Sequence, residues 1–76
     1  MNLKTQTVNV NIETGEHGLY YGTSDQLKGL LIAERTPDEV LQAAPKAMAD
    51  FYLADGFRDV ETIQVDTRSW IVRGRS

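Results

Sequence analysis

The chain has 76 residues and no cysteine, so neither disulfides nor thiolate-bound metals supplement its small hydrophobic core. Its apolar share of 41% and charged share of 25% are ordinary for a globular protein and argue against disorder. The net charge of -3 conceals a basic end, since all 11 acids precede residue 68 while Arg68, Arg73 and Arg75 close the chain. An acidic body attracts basic partners and repels a nucleic-acid backbone, and the alternative interpretation is that moderate acidity simply keeps a small protein soluble.

Apolar runs such as residues 30–33 are far shorter than the roughly 20 residues needed to span a bilayer. Residues 1–11 contain one lysine and no apolar block, so we expect no secretory signal and no membrane segment. We therefore predict one cytoplasmic domain over residues 1–76, without redox chemistry. A core this small also favours a homo-oligomer, either a dimer or a larger assembly.

Three segments ahead of residue 36 alternate between the two faces with period two, which predicts paired strands. The first covers residues 5–12, with Val8, Val10 and Ile12 on one face. The second covers residues 19–24, where Gly22 indicates a bulge or a close backbone approach. The third covers residues 30–33, and the SDQLK segment before it is short enough for a hairpin.

A helix start follows the third strand. Thr36 is typical of an N-cap, Pro37 suits the first helical position, and Glu39 can complete a capping box. The helix then carries an apolar stripe at three- and four-residue spacing. The stripe consists of Val40, Leu41, Ala44, Met48, Phe51 and Tyr52. The opposite face consists of Glu39, Gln42, Lys46 and Asp50.

Pro45 interrupts this pattern because its ring removes the hydrogen bond to the Leu41 carbonyl. We prefer one kinked helix, and two short helices are the alternative. Residues 54–57 predict the helix end, with Gly56 in the left-handed conformation and Phe57 reaching back to the last turn.

Residues 60–67 predict a fourth strand whose apolar face carries Ile63 and Val65, with Thr62, Gln64 and Asp66 on the polar face. Residues 70–72 form a further apolar run. This run has three interpretations: a fifth strand, the end of the fourth strand after a bulge, or a segment that docks on a second subunit.

The order of elements predicts an α+β fold, with an antiparallel sheet of three to five strands and one helix packed on one face. A meander under one helix is the simplest arrangement that buries all the apolar stripes. Such a sheet has a free face and a free edge, and free edges invite pairing with another chain.

The segment over residues 19–52 resembles the amino-terminal domain of HicB-type antitoxins and of short proteins related to them. The resemblance rests on the aromatic hairpin GLYYGTSDQLKGLLIAE and the threonine-led helix TPDEVLQAAPKAMADF. It implies the order β-β-β-α-β of a partial ribonuclease H fold. It also implies a protein that binds and silences a small basic mRNA-cleaving toxin of the HicA type.

Two departures from the family pattern affect what we expect. Lys28 stands where these proteins commonly have a proline before the glycine. The chain also stops at Ser76, so we expect no carboxy-terminal DNA-binding domain and no autorepression through an operator.

The sequence does not offer the residues of a nuclease. Metal-dependent phosphodiester cleavage needs converging carboxylates, whereas the first strand carries Asn9 and Asn11. His17 is the only histidine, which excludes a two-histidine metal site, and it is more typical of a solvated turn. We therefore predict no enzyme activity, and no catalytic, metal-binding or cofactor-binding residues.

We predict instead a partner-binding surface that combines acids of the helix, two aromatic residues and two arginines. These residues are Asp38, Glu39, Asp50, Tyr20, Trp70, Arg73 and Arg75. The terminal arginines have three interpretations: pairing with acids of a neighbouring subunit, contact with nucleic acid, or a frayed end.

Two alternatives to the antitoxin function remain. One is a stand-alone homo-oligomer of unknown role with the same fold, in which the aromatic strand and Trp70 would matter most. The other is weak nucleic-acid binding through the terminal arginines, which is not favoured because base-stacking platforms need cationic surroundings.

Overall fold

The computed structural model describes residues 2–76 and confirms an α+β fold. The described chain contains six strands and one helix. In chain order these are β1 (Leu3–Asn9), β2 (Asn11–Thr14), β3 (Tyr20–Thr23), β4 (Ile32–Glu34), α1 (Pro37–Ala54), β5 (Arg58–Asp66) and β6 (Ser69–Arg75).

The strands form two antiparallel three-stranded sheets, in the orders β1-β6-β5 and β2-β3-β4. This differs from the single predicted sheet, and the observed element order has one more strand on each side of the helix. The predicted first strand is divided between the two sheets at Val10.

Two neighbouring backbone amides explain the division. The Val10 N–H donates to the Arg68 carbonyl next to β6 (2.8 Å), and the Asn9 N–H donates to Gln26 Oε1 in the β3–β4 connection (2.9 Å). Successive N–H groups of an extended chain point to opposite edges. The two sheets therefore extend from opposite edges of one nearly continuous β1–β2 segment.

The apolar run at residues 70–72 is a full strand. It lies within β6, the central strand of its sheet, so the first of the three interpretations is correct. A tight turn joins β5 to β6, where Asp66 pairs with Ser69 and the Thr67 N–H donates to Asp66 Oδ1 (2.7 Å).

The helix begins as its sequence predicts. Thr36 is the N-cap in an extended conformation, and its Oγ1 accepts from the Glu39 N–H (3.1 Å). The Thr36 hydroxyl in turn donates to the Glu39 carboxylate (3.0 Å). The first contact pairs a backbone N–H that lacks an intrahelical partner, but the Glu39 carboxylate contacts the Thr36 hydroxyl instead of its backbone N–H, so the predicted capping box is only half formed.

One helix runs through Pro45, so the alternative of two short helices is wrong. The helix ends in a Schellman motif: the Gly56 N–H donates to the Leu53 carbonyl and the Phe57 N–H to the Tyr52 carbonyl. Gly56 has a φ of 91° and the Phe57 ring lies 5.4 Å from the Tyr52 ring, as predicted.

The core lies between α1 and the inner faces of both sheets. It consists of Val8, Val10, Leu27, Leu30, Ile32, Val40, Ala44, Met48, Tyr52, Trp70 and Val72. At Gly22 the sheet approaches α1 so closely that a Cβ there would lie 2.5 Å from Val40 Cγ1. Of the two predicted explanations for this glycine, the close approach is therefore the one that the packing supports.

The predicted apolar face of the fourth strand is wrong. Ile63 and Val65 are 51% and 53% exposed, while Thr62 is half-buried. Ile63 pairs with Ile71, and Thr62 pairs with the fully buried Val72. Directly paired residues of antiparallel strands share a face, so the partners in β6 fix the orientation of β5 whatever its own hydrophobic pattern.

Candidate partner-binding surfaces

β4 is an edge strand that pairs only with β3. A groove of about 390 Å³ lies between this edge and α1. The strand side of the groove consists of Leu31, Ile32, Ala33 and Glu34, and the helix side of Gln42, Ala43, Lys46, Ala47 and Asp50. We call it the β4–α1 groove.

The β4–α1 groove has an apolar base and a charged rim. Ala43 and Ala47 are half-buried and small, so they leave room beside the helix, while Leu31 is 65% exposed at the strand side. Glu34 and Asp50 outnumber Lys46 on the rim, and Lys46 Nζ already contacts Asp50 Oδ2 at 2.8 Å. The groove therefore combines a free strand edge with a net negative rim.

The three predicted helix acids have different surroundings. Asp50 lines the groove, and Glu39 lies on the same helix face because eleven residues turn an α-helix by just over three full turns. The Glu39 carboxylate also accepts from the Thr36 hydroxyl, which gives it a capping role. Asp38 is exposed in the first turn, where the helix dipole favours acids, and it is not among the residues that line the groove.

The two predicted aromatic contacts are not free surface residues. Trp70 is 2% exposed and lies in the core of its own chain, which corrects the prediction that it contacts a partner. Tyr20 is half-buried against the core, and it pairs across β3 and β4 with Glu34 of the groove.

The terminal arginines lie in an ordered strand, so they are not frayed. Arg73 Nη2 contacts Glu61 Oε2 at 2.8 Å, and Arg75 Nε contacts Asp59 Oδ2 at 3.6 Å. Both acids belong to β5 of the same chain. This pairing within one chain was not among the three interpretations of the basic end.

The sheet β1-β6-β5 has a second exposed surface on the side away from α1. We call it the outer face, and it includes Leu3, Thr5, Thr7, Glu61, Ile63, Val65, Ile71, Arg73 and Arg75. Leu3 is 61% exposed and Ile71 is half-buried. The outer face is therefore an apolar centre beside paired charges.

Other polar residues have local roles. The Tyr52 hydroxyl donates to Gln6 Oε1 (2.9 Å), and burial raises the pKa of Tyr52 above its ordinary value of 10.0. His17 is exposed in the β2–β3 turn at a φ of 58°, in accord with its predicted position. Among residues 2–76, no three His, Asp or Glu side chains are grouped closely enough to hold a metal ion.

The groove and the outer face depend on residues that sequence reasoning missed. Leu31, Ala43 and Ala47 carry no charge or motif, and their only signal was the predicted free edge beside a helix.

The helix is not long and apolar enough to cross a membrane.

Comparisons of the chain with protein-family models, with curated proteins and with solved structures find no match.

Proposed function

We propose that the chain is a non-enzymatic binding module of the HicB-like antitoxin type, which holds a small basic toxin of the HicA type in the β4–α1 groove. Bound there, the module covers the RNA-binding face of the toxin and so prevents mRNA cleavage. The observation that supports this proposal best is the free edge of β4 beside a rim that carries Glu34 and Asp50.

The shape of the groove favours an extended segment of the partner. A strand added to a sheet edge gains main-chain hydrogen bonds from the unpaired N–H and C=O groups of that edge. Ala43 and Ala47 are small enough to let such a strand lie against α1, and Leu31 offers an exposed apolar contact. The partner thus extends the sheet β2-β3-β4 by one strand.

The charges of the groove favour a basic partner. Glu34 and Asp50 line the rim and Glu39 shares the same helix face, against one lysine that is paired with Asp50. Complementary charges steer association and select partners. The arginines of β6 contact acids of β5, which argues against the alternative of nucleic-acid binding through them. The proposal includes a cytoplasmic location, since a toxin of this type acts on mRNA.

The test uses the full chain and the small basic protein encoded in the adjacent reading frame. We expect tight binding that weakens steeply as salt is raised from about 0.05 to 0.5 M, because exposed charges are screened. Glu34→Lys should weaken binding at least about tenfold through charge repulsion at the rim. The matched control is Glu13→Lys, which makes the same charge change in exposed β2, at the opposite edge of the sheet from β4, and should alter binding by no more than about twofold.

A cleavage assay completes the test. The chain should suppress mRNA cleavage by the basic protein, and Glu34→Lys should restore it. Salt-insensitive binding, equal effects of the two substitutions, or no binding would each contradict the proposal.

A further inference from the structure

We propose that the outer face of the sheet β1-β6-β5 is a dimer interface between two copies of this chain. The proposal is independent of the antitoxin function, because the outer face lies on the side of the sheet away from α1 and does not include the β4–α1 groove.

The first observation is the inverted pattern of β5. Its polar residues Thr62 and Gln64 pair with the buried Val72 and Trp70, while Ile63 and Val65 are 51% and 53% exposed. An antiparallel sheet with one solvated face normally places polar residues there. Two β-branched apolar residues beside Ile71 on that face indicate that it is covered in the assembled protein.

The second observation is that the chain does not cover this face itself. Within residues 2–76, α1 packs on the inner side of the sheet, and the exposure of Ile63 and Val65 shows that no described element lies over them. Any cover for this face therefore comes from another molecule.

The register of β5 and β6 identifies that molecule as a second copy. Ile63 pairs with Ile71, and Glu61 pairs with Arg73, so an apolar row and a charged row cross the two strands side by side. A twofold axis parallel to the strands and midway between β5 and β6 places each strand over the other strand of the second copy. Ile71 then faces Ile63, and Arg73 faces Glu61, across the interface.

The balance of charge on this face also favours a second copy over a strongly charged partner. Arg73 and Arg75 on β6 are matched by Glu61 and Asp59 on β5, with contacts of 2.8 and 3.6 Å. A nucleic acid or a highly basic protein would meet like charges as often as opposite ones. On a second copy, Arg73 meets Glu61 while Arg75 meets Arg58, so the charge complementarity of the interface rests on the Glu61–Arg73 row.

The size of the face sets the strength of the dimer. Because this axis overlaps β5 and β6 alone, strand spacings of about 4.8 Å and a strand length of about 24 Å give a footprint on the order of 230 Å². Stable complexes bury about 800 Å² per partner, so this interface belongs to the small class. We therefore expect a weak dimer that dissociates on dilution.

Sedimentation velocity on the full chain, from about 1 to 500 μM, tests the proposal. The wild type should change from monomer to dimer over this range. Ile63→Glu should remain monomeric throughout, because it buries a carboxylate pair at the centre of the interface. The control is Leu31→Glu, which alters a more exposed apolar residue in the β4–α1 groove and should dimerise like the wild type.

A charge exchange provides a second measurement that does not depend on the apolar centre. Glu61→Arg should weaken dimerisation at least about tenfold by facing Arg73 of the second copy, and adding Arg73→Glu should restore it. Circular dichroism of each variant checks that the fold is intact. A wild-type monomer at all concentrations, or a dimer that Leu31→Glu abolishes and Ile63→Glu preserves, would overturn the proposal.

Failure of this proposal is distinguishable from failure of the proposed function. Ile63→Glu should still bind the basic partner as the wild type does, whereas Glu34→Lys should still dimerise.

Discussion

At the scale of single residues, Thr36 is the clearest case of a local signal with a measurable effect. Thr36→Ala should lower the free energy of unfolding by about 1 kcal/mol, because the Glu39 N–H loses its acceptor and the Glu39 carboxylate its donor. Thr36→Ser keeps the hydroxyl and should retain most of the stability. Urea unfolding of the three proteins measures the difference. Equal losses for alanine and serine would show that the hydroxyl is not the cause.

Tyr52 gives a prediction about pH. Because burial raises its pKa in the folded state above the ordinary value of 10.0, the protonated phenol is favoured by folding. Its contribution to stability is complete below about pH 10 and is lost as pH rises through the folded-state pKa.

The control for this effect is Tyr52→Phe, which has no phenol to titrate at this position. Unfolding measured between pH 8 and pH 11 should show the wild type more stable at the lower pH, where its hydroxyl bonds to Gln6. The difference between the two proteins should shrink as pH rises. Curves that stay parallel over this range would contradict the assignment.

At the scale of elements, α1 could be predicted almost entirely from sequence. The Thr36-Pro37 start and the Gly56 end are local signals, and neither depends on distant residues. The strands were predicted less accurately than the helix. The division at Val10 depends on hydrogen bonds to Arg68 and Gln26, which lie far along the chain.

The orientation predicted for β5 was wrong because it, too, depends on pairing with a strand that comes later in the chain. Its register to β6 shifts between Arg58 and Glu61 and again between Gln64 and Asp66. Irregularities of this kind change which residues oppose each other, and no glycine or proline in β5 indicates them. Ile63 and Val65 have the spacing of a buried face, although the pairing of Ile63 with Ile71 places it on the side of the sheet away from the core.

Pro45 offers a test of the helix as a unit. The proline lies inside one continuous helix, where it removes a hydrogen bond to the Leu41 carbonyl. Pro45→Ala should therefore raise the free energy of unfolding by about 1–3 kcal/mol, seen as a higher midpoint in thermal unfolding. Gln42→Ala, at an exposed site of the same helix, is the control and should change stability by only a few tenths of a kcal/mol. A loss of stability in Pro45→Ala would show that the proline ring itself supports the packing.

At the scale of the whole molecule, neither the β4–α1 groove nor the outer face could be located from sequence. Sequence reasoning predicted a free edge and a free face, but which residues occupy them depends on how the two sheets share the β1–β2 segment. Two of the seven predicted partner residues, Glu39 and Asp50, share the groove side of α1. Trp70, also one of the seven, lies in the core because β6 is the central strand of its sheet.

Trp70 reports on the whole fold. Because it is buried within a single chain, its fluorescence should be blue-shifted and weakly quenched by acrylamide. The emission should not change on dilution from about 500 to 1 μM, since dissociation of a dimer at the outer face leaves the core intact. The Ile63→Glu variant should give the same spectrum. A red shift on dilution would instead indicate that Trp70 lies at an interface between copies.

Amide hydrogen exchange of the chain, free and bound to the basic protein of the adjacent reading frame, tests the partner site most directly. We predict slower exchange on binding in β4, as its free edge gains main-chain hydrogen bonds, with little change in β5 and β6. Protection that appears in β5 and β6 while β4 stays unchanged would contradict it.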